Sequence, residues 1–222
     1  MPIPNQLAGV QSGRNPTPRD VLRSKGYFLE IPGVMNSGTA IDGSNTGYTH
    51  IIRGGWLLGQ ITSTKKWVPL KRTRTKTFTS SGQSVQSPAS TRIPVDNAAA
   101  FKAGDTIVVG GDSGLTVSSV DYTKNHITVS SAILFTANEQ VYASDGSGVC
   151  KGVLLDDEVI LRDYENNTAS DKPCRVLLAA MLKESLILGD LASVIDEAQW
   201  ILRTHPRFFD NFLLDRTHYL FP

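Results

Sequence analysis

The feature of this sequence that most constrains its fold is a strand pattern that stops at one point and resumes much later. Residues 55–70 have the alternation of a β-hairpin, and their apolar continuation returns only at residues 148–157. Between the two halves lies a block, residues 77–147, that carries short strand patterns of its own. The chain therefore reads as a small β domain that carries an insertion, and we expect a discontinuous core over residues 45–76 and 148–222.

Strand signals recur regularly in both parts of the chain. In the hairpin, a polar turn at residues 62–65 separates the two predicted strands. In the inserted block, β-branched segments alternate with turns that contain glycine, asparagine and aspartate. The predicted strands of this block are Thr91–Val95, Thr106–Val109, Leu115–Val120, His126–Val129 and Gln140–Tyr142. We therefore predict a mainly β chain in which the inserted block forms an all-β barrel or sandwich.

The carboxyl-terminal part changes its periodicity. Strand patterns cover residues 149–155, 159–162 and 174–181, and from Asp190 onward the apolar residues follow helical spacing. Asp190 is a favourable N-cap residue, and Pro206 ends the pattern. We predict one amphipathic helix here, followed by an aromatic tail that forms a final strand or part of a subunit interface.

Residues 1–44 contain frequent glycine, proline and polar residues. Such a segment cannot bury enough apolar surface to offset its ordering entropy, so we predict an extended amino-terminal arm. Within it, residues 26–32 have the aromatic and β-branched content of a short strand. This strand is a candidate to pair with the edge of another subunit.

The formal net charge of +1 hides an uneven distribution. Residues 1–76 hold 11 Lys and Arg against 3 Asp and Glu, a balance of +8, whereas residues 77–222 hold 11 against 18, a balance of −7. Much of the positive charge lies in residues 65–76, which would either dock on an acidic surface or form the solvated face of a strand. The run has no recognition helix, zinc site or interleaved aromatics, so we expect no nucleic-acid partner.

Motifs that carry catalytic or cofactor chemistry are absent from the sequence. It has no nucleophile elbow, Walker loop, dinucleotide fingerprint or zinc-protease motif, and its histidines fall on different predicted elements. We therefore expect no enzyme, no cofactor and no metal site. The apolar runs are shorter than the roughly 20 residues that cross a bilayer, and no secretory signal opens the chain, so we expect no membrane partner and a place in the cytoplasm of the producing cell, or in a particle assembled there.

The outer halves carry a set of short motifs in a particular order. Gly55-Trp56-Leu57-Leu58-Gly59 is followed by Lys66-Trp67-Val68-Pro69, then by Lys151-Gly152-Val153-Leu154-Leu155-Asp156-Asp157 and by Cys174-Arg175-Val176-Leu177-Leu178. In these motifs the chain resembles the head decoration proteins of tailed bacteriophages, the lambda-type capsid-stabilising family. The resemblance covers residues 45–71 and 148–222 and implies a trimer on the outside of a mature phage head, bound between major capsid proteins. The block at residues 77–147 departs from the family pattern, and we expect it to protrude.

The resemblance also implies two groups of contact residues. The capsid-binding candidates lie on the arm and in the basic run and are Tyr27, Phe28, Ile31, Lys71, Arg72 and Arg74. The candidates for the trimer interface or the core are Trp56, Trp67, Phe212 and Tyr219. The expected partners are the major capsid protein and two further copies of this chain, and the expected location is the outer surface of the virion.

Two other function classes stay open from the sequence alone. The inserted module could bind host-surface glycans, as in a head fibre or adhesin, and Tyr122 and Tyr142 are the aromatic candidates for stacking on a sugar. A hydrolase on a β scaffold is the other alternative, which would need a perturbed carboxylate pair in a cleft.

Overall fold

The computed structural model describes residue 21 and residues 28–76, 89–163, 165–194 and 212–215. Within these ranges the chain is mainly β, as the sequence predicts. The strands are β1 Phe28–Met35, β2 Ile51–Arg53, β3 Leu57–Gln60, β4 Trp67–Pro69, β5 Arg72–Arg74, β6 Ser90–Pro94, β7 Thr106–Val109, β8 Asp112–Asp121, β9 His126–Ile133, β10 Gln140–Ala143, β11 Cys150–Leu154, β12 Glu158–Ile160, β13 Lys172–Lys183 and β14 Phe212–Asp215.

The first sheet of the described chain has the strand order β1-β4-β3-β11-β13-β14. β1 pairs antiparallel with β13 and also meets β4 in parallel. The five strands β1, β4, β3, β11 and β13 therefore close into a barrel. Closure removes the open edges that a small sheet would otherwise present. The barrel encloses a core that includes Met35, Ile52, Trp56, Leu58, Trp67, Val68, Leu154 and Val176.

The predicted hairpin is confirmed as β3 and β4, which pair antiparallel with Gln60 opposite Trp67. The turn between them needs one residue with positive φ, and Lys65 supplies it at 59°. The backbone N–H of Ile61 donates to the carbonyl of Lys66 at 3.0 Å and closes the turn. Trp67 is thereby directed into the barrel, where only 5 % of its surface is exposed.

The two distant halves of the strand pattern meet inside this barrel. β3 pairs antiparallel with β11, with Gly59 opposite Cys150 and Leu57 opposite Val153. β11 in turn pairs with β13 at Val153 and Leu154. Segments that lie far apart in sequence are therefore adjacent strands of one sheet.

The chain between these halves forms the second sheet, with the order β5-β10-β7-β8-β9-β6 in the described residues. β7 and β10 alternate between exposed and buried positions, which is typical of an antiparallel sheet with one covered face. The covered face has its own core of Ile93, Val95, Phe101, Ile107, Val109, Val117, Ile127, Val129, Phe135 and Val141. All the strands predicted between Thr91 and Tyr142 are present, with small shifts at their ends.

The structure corrects the predicted arm over residues 28–44. β1 pairs within its own chain with β13, from Phe28 opposite Ala180 to Met35 opposite Lys172. The following turn is fixed by a buried carboxylate, since Asp42 is fully buried and accepts from Arg53 Nε at 2.7 Å. These residues gain backbone pairing and burial from a distant strand, which local composition does not reveal. Most of the predicted arm, residues 1–20 and 22–27, lies outside the described residues.

The carboxyl-terminal helix begins where the sequence predicts. The backbone N–H of Ser193 donates to Asp190 Oδ1 at 3.0 Å, the hydrogen bond expected of an N-cap residue. Residues 191–194 are helical, and the rest of the predicted helix lies outside the described residues. The final predicted strand is described over its backbone as β14, which pairs in parallel with β13.

Candidate site at the junction of the two sheets

The chain leaves the barrel and returns to it at a narrow junction. It leaves after Leu70, passes through Lys71 and enters β5, and it returns through the turn that follows Ala143. The N–H of Lys71 donates to the carbonyl of Ser147 at 3.1 Å, and the N–H of Ala143 donates to the carbonyl of Lys71 at 3.0 Å. The outgoing and incoming segments are therefore hydrogen-bonded to each other at Lys71.

A buried ion pair lies at this junction. The side chain of Lys71 is 0 % exposed and that of Asp105 is 7 % exposed, and Lys71 Nζ contacts Asp105 Oδ1. Asp105 precedes β7, and its second oxygen accepts from the N–H of Lys102 at 2.8 Å. A lysine is almost never fully buried unless it is paired. Asp105 is the partner that allows Lys71 to be buried here.

Burial shifts both members of the pair toward their neutral forms. Desolvation lowers the pKa of Lys71, although the negative charge of Asp105 opposes the shift. Desolvation likewise raises the pKa of Asp105, although Lys71 opposes it. The phenol of Tyr122 has its pKa raised to about 12 by burial and by the nearby Asp105. The junction therefore holds an amine and a carboxyl in a site with little water, where the cost of charging each is high.

A second buried contact joins β5 to the residue that caps the helical segment. Thr73, on β5, is fully buried, and its hydroxyl donates to Asp190 Oδ2 at 2.9 Å. The same hydroxyl accepts from the N–H of Asn97 at 3.0 Å. Asp190 therefore caps the helical residues with one oxygen and binds the second sheet with the other.

Burial removes Lys71 from the predicted basic docking patch, while Arg72 and Arg74 stay predicted docking residues. Residues 71–75 alternate in burial, so that Lys71, Thr73 and Thr75 face inward while Arg72 and Arg74 are half-buried. Arg72 Nε donates to Gln140 Oε1 at 3.1 Å, and Arg74 Nε lies 3.7 Å from Asp96 Oδ2. Lys71 is excluded from any docking surface because its side chain has no exposed area. The period-two alternation of this strand is the signal that could have identified it as an inward residue.

The tryptophans offered as interface candidates are core residues. Trp56 and Trp67 are 1 % and 5 % exposed within a single chain, so neither has surface left to offer a second copy. Gly33 on β1 makes room for the Trp67 ring, because a Cβ atom there would lie 2.7 Å from Trp67 Nε1. Within a single chain both residues therefore have the second of the two roles predicted for them, that of core residues.

The predicted arm residues are only partly described. Ile31 is half-buried and packs against the barrel core, while the backbone of Phe28 begins β1. The side chain of Phe28 lies outside the described part of the structure, as does all of Tyr27. The large apolar side chains that β1 presents to solvent are instead Leu29, 53 % exposed, and Val34, 43 % exposed. The sequence pattern does not predict the outward direction of Leu29, because a bulge between Leu29 and Glu30 interrupts the alternation of β1.

The aromatic carboxyl terminus is described only in its backbone. Phe212 lies opposite Ala180 at the start of β14, and its side chain lies outside the described residues. Tyr219 also lies outside them. The interface prediction for this tail therefore stays a prediction.

The two tyrosines considered for sugar binding are packed into the fold. The Tyr122 hydroxyl donates to the carbonyl of Phe101 at 2.9 Å, and its ring lies against Gly43. Tyr142 is half-buried, and a Cβ atom on Gly148 would lie 2.8 Å from its Cβ. The ring of Tyr122 is therefore not an open stacking surface, and the sugar-binding hypothesis for Tyr142 stays a prediction.

Comparison with protein-family models, with curated proteins and with solved structures found no match for this chain. Across the described ranges, no three His, Cys, Asp or Glu side chains come together in a way that could hold a metal ion. None of the described helical residues belongs to a helix long and apolar enough to cross a bilayer.

Proposed function

We propose that this chain is a structural virion protein that binds as a trimer between major capsid proteins and stabilises the outside of a mature phage head. The observation that carries the proposal is the pairing of β3 with β11 and of β11 with β13. Those strands contain the motifs that resemble the decoration family, and they are neighbours in one barrel. The resemblance therefore concerns one contiguous structural unit.

The proposal divides the chain at Lys71. The barrel, with residues 28–70 and 148–183, is the capsid-binding part, and the second sheet is an inserted module that protrudes from the head. The boundary lies earlier than residue 76 because β5 pairs with β10 of the second sheet. The separate core of the second sheet supports a module that contributes little to the barrel's own packing.

In this proposal the exposed face of β1 contacts the major capsid protein. Leu29 and Val34 are large apolar side chains on the surface of the barrel, where burial against a partner would remove them from water. Arg175 lies opposite Pro32 on the neighbouring strand, and its Nε donates to Asp156 Oδ1 at 2.6 Å. An apolar strip with a charged rim is the usual composition of a protein interface.

Stabilisation of the head follows from linkage. A protein that binds the expanded lattice and not its precursor or ruptured state stabilises the expanded state by its binding free energy. Many copies bind each head, so a small free energy at each site sums to a large effect on the particle. The chain needs no catalytic group for this function.

Co-sedimentation with heads tests the proposal. Expanded, undecorated heads are assembled from the major capsid protein encoded nearest to this chain's own gene, and the mass of the free protein is measured by light scattering. We expect a trimer that binds to saturation at a fixed ratio to the capsid protein. Failure of a folded protein to bind these heads at any concentration would overturn the proposal.

Two matched variants locate the contact. Leu29→Ser combined with Val34→Ser removes the apolar strip on β1, and Leu134→Ser removes a side chain that is 59 % exposed beyond β9. We expect the double variant to lose head binding and the Leu134 variant to keep it. Equal binding by both variants would exclude the β1 face as the contact.

A further inference from the structure

Three side chains at the sheet junction form a reactive arrangement that the proposed function does not use. Lys71 and Asp105 are in direct contact and almost completely buried. Asp145 lies on the exposed turn after β10, two residues before Ser147, whose carbonyl accepts from the N–H of Lys71. Its Oδ1 is held in place by the N–H of Ser147 at 2.9 Å. A buried amine and carboxyl in contact, with a second carboxyl group on the neighbouring turn, therefore lie at the junction.

The backbone brings the first two together across an intervening strand. The carbonyl of Lys71 accepts from the N–H of Ala143, and the carbonyl of Thr106 accepts from the N–H of Ser144. Lys71 and Asp105, the residue before Thr106, thus lie on opposite sides of the end of β10. Their side chains meet over that strand, which fixes their separation once the second sheet has folded.

We propose that Lys71 and Asp105 become joined by an intramolecular isopeptide bond, formed by the folded chain itself with Asp145 as proton relay. The Lys71 Nζ lone pair attacks Cγ of the protonated Asp105 carboxyl, and an N–C bond forms. Asp145 takes a proton from the nitrogen and returns it to the departing hydroxyl. The C–O bond then breaks, and one water leaves. The reaction exchanges an amine and an acid for an amide and water, so it needs no oxidant, reductant or cofactor.

The environment favours the protonation states that this reaction needs. Burial lowers the pKa of Lys71 and raises that of Asp105, which moves the pair toward a free amine and a neutral acid. The side chains of Lys71 and Asp105 are also shielded from the water that would reverse the reaction. The ion pair of Lys66 and Asp171 offers the contrast, because its side chains are 37 % and 31 % exposed and remain hydrated.

The bond would act as a covalent lock on the second sheet. It joins the segment that enters this sheet to the start of β7, 34 residues further along the chain. Neither residue belongs to the β1 face, so the inference is independent of the proposed function. A second sheet locked in this way would resist separation of β5 from β7 and β10.

Mass spectrometry of the denatured wild-type protein tests the inference. We expect the intact mass to fall short of the sequence mass by one water. We also expect a tryptic digest to contain residues 67–72 joined to residues 103–124, with no cleavage after Lys71. Joined peptides distinguish the bond from a succinimide at Asp42 or Asp145, which loses water without linking two peptides. Separate peptides with cleavage after Lys71, whatever the intact mass, would overturn the inference.

Variants test the role of each group. Lys71→Arg and Asp105→Ala should each abolish the joined peptides, and Lys66→Met, at the exposed pair, should leave them unchanged. Asp145→Asn keeps the contact between Lys71 and Asp105 but removes the relay, so joining after refolding should slow about 100-fold. Joining at the wild-type rate in Asp145→Asn would refute the relay assignment.

Discussion

Gly59 on β3 lies against the backbone carbonyl of Ser147, so closely that a Cβ atom added at Gly59 would fall well inside the 3.0 Å that real Cβ atoms keep. Ser147 also accepts the hydrogen bond from the N–H of Lys71. The turn that leads from β10 to β11 therefore contacts β3 at a position where only glycine fits. This contact brings the turn before β11 against β3, the strand with which β11 pairs.

Replacement of Gly59 by alanine should destabilise the barrel. The obstacle is backbone, which cannot rotate away, so we expect the free energy of unfolding to fall by about 1–3 kcal/mol, as for other overpacked cores. The matched control is Gly111→Ala, because nothing lies within 4 Å of a Cβ atom there. Urea unfolding of both variants checks the prediction, and equal midpoints would contradict the close approach at Ser147.

Replacement of Lys71 by methionine should be among the more costly single changes at the junction. It leaves the Asp105 carboxyl buried without its partner, which costs about 3–5 kcal/mol in other buried pairs. The exposed pair provides the comparison, since Lys66→Met should cost no more than about 1 kcal/mol. Denaturant unfolding monitored by circular dichroism measures both. A Lys71 variant as stable as the Lys66 variant would show that Asp105 is not buried in solution.

Replacement of Trp67 by alanine distinguishes a core residue from an interface residue. Loss of a large buried ring should lower the free energy of unfolding by about 3–5 kcal/mol. Because Trp67 has almost no exposed surface in one chain, the mass of the remaining folded protein should be unchanged. Val34→Ala, on the exposed face of β1, is the control and should unfold like the wild type. A fully stable Trp67→Ala protein that has lost its oligomeric state would instead place this ring at an interface.

Asp171 should make stability depend on pH in the acid range. Hydrogen bonds from Lys66 and from the N–H of Ser37 hold the pKa of this carboxyl below its ordinary value of 3.8. Its contribution is therefore fully present above that value and is lost as the pH falls through the lowered pKa in the folded protein. Because the pair is half-exposed, we expect the contribution to stay below about 1 kcal/mol.

Comparison of the wild type with Asp171→Asn measures this contribution. The two urea midpoints should differ near neutral pH and should converge as the pH falls below the ordinary pKa of the carboxyl. A difference that persists unchanged into strong acid would mean that the charge of Asp171 does not stabilise the fold.

Local patterns predicted much of this fold because they depend on short-range physics. The β3–β4 hairpin, the strands of the second sheet and the Asp190 N-cap each follow from alternation, turn residues or capping within a few positions. The barrel closure did not follow, because β1 is completed by a partner, β13, that lies far along the sequence. Composition alone therefore made residues 28–44 look like an unfolded arm.

The buried pair at the junction shows a second limit. Lysine is mostly an exposed residue, so the sequence pattern groups Lys71 with its charged neighbours. A shift of one residue in a strand reverses the direction of every side chain, and the register of β5 is set by its pairing with β10. The sequence contains the alternation of Lys71, Thr73 and Thr75, but it does not indicate that Asp105 will lie opposite Lys71.

The rupture temperature of expanded heads tests the central claim most directly. Heads are heated with increasing amounts of the purified protein, and release of their contents is followed by fluorescence of a DNA-binding dye. We predict that the rupture temperature rises with added protein and reaches a plateau at the ratio where binding saturates, while unexpanded precursor heads are unaffected. An unchanged rupture temperature at saturating protein would contradict the stabilising role.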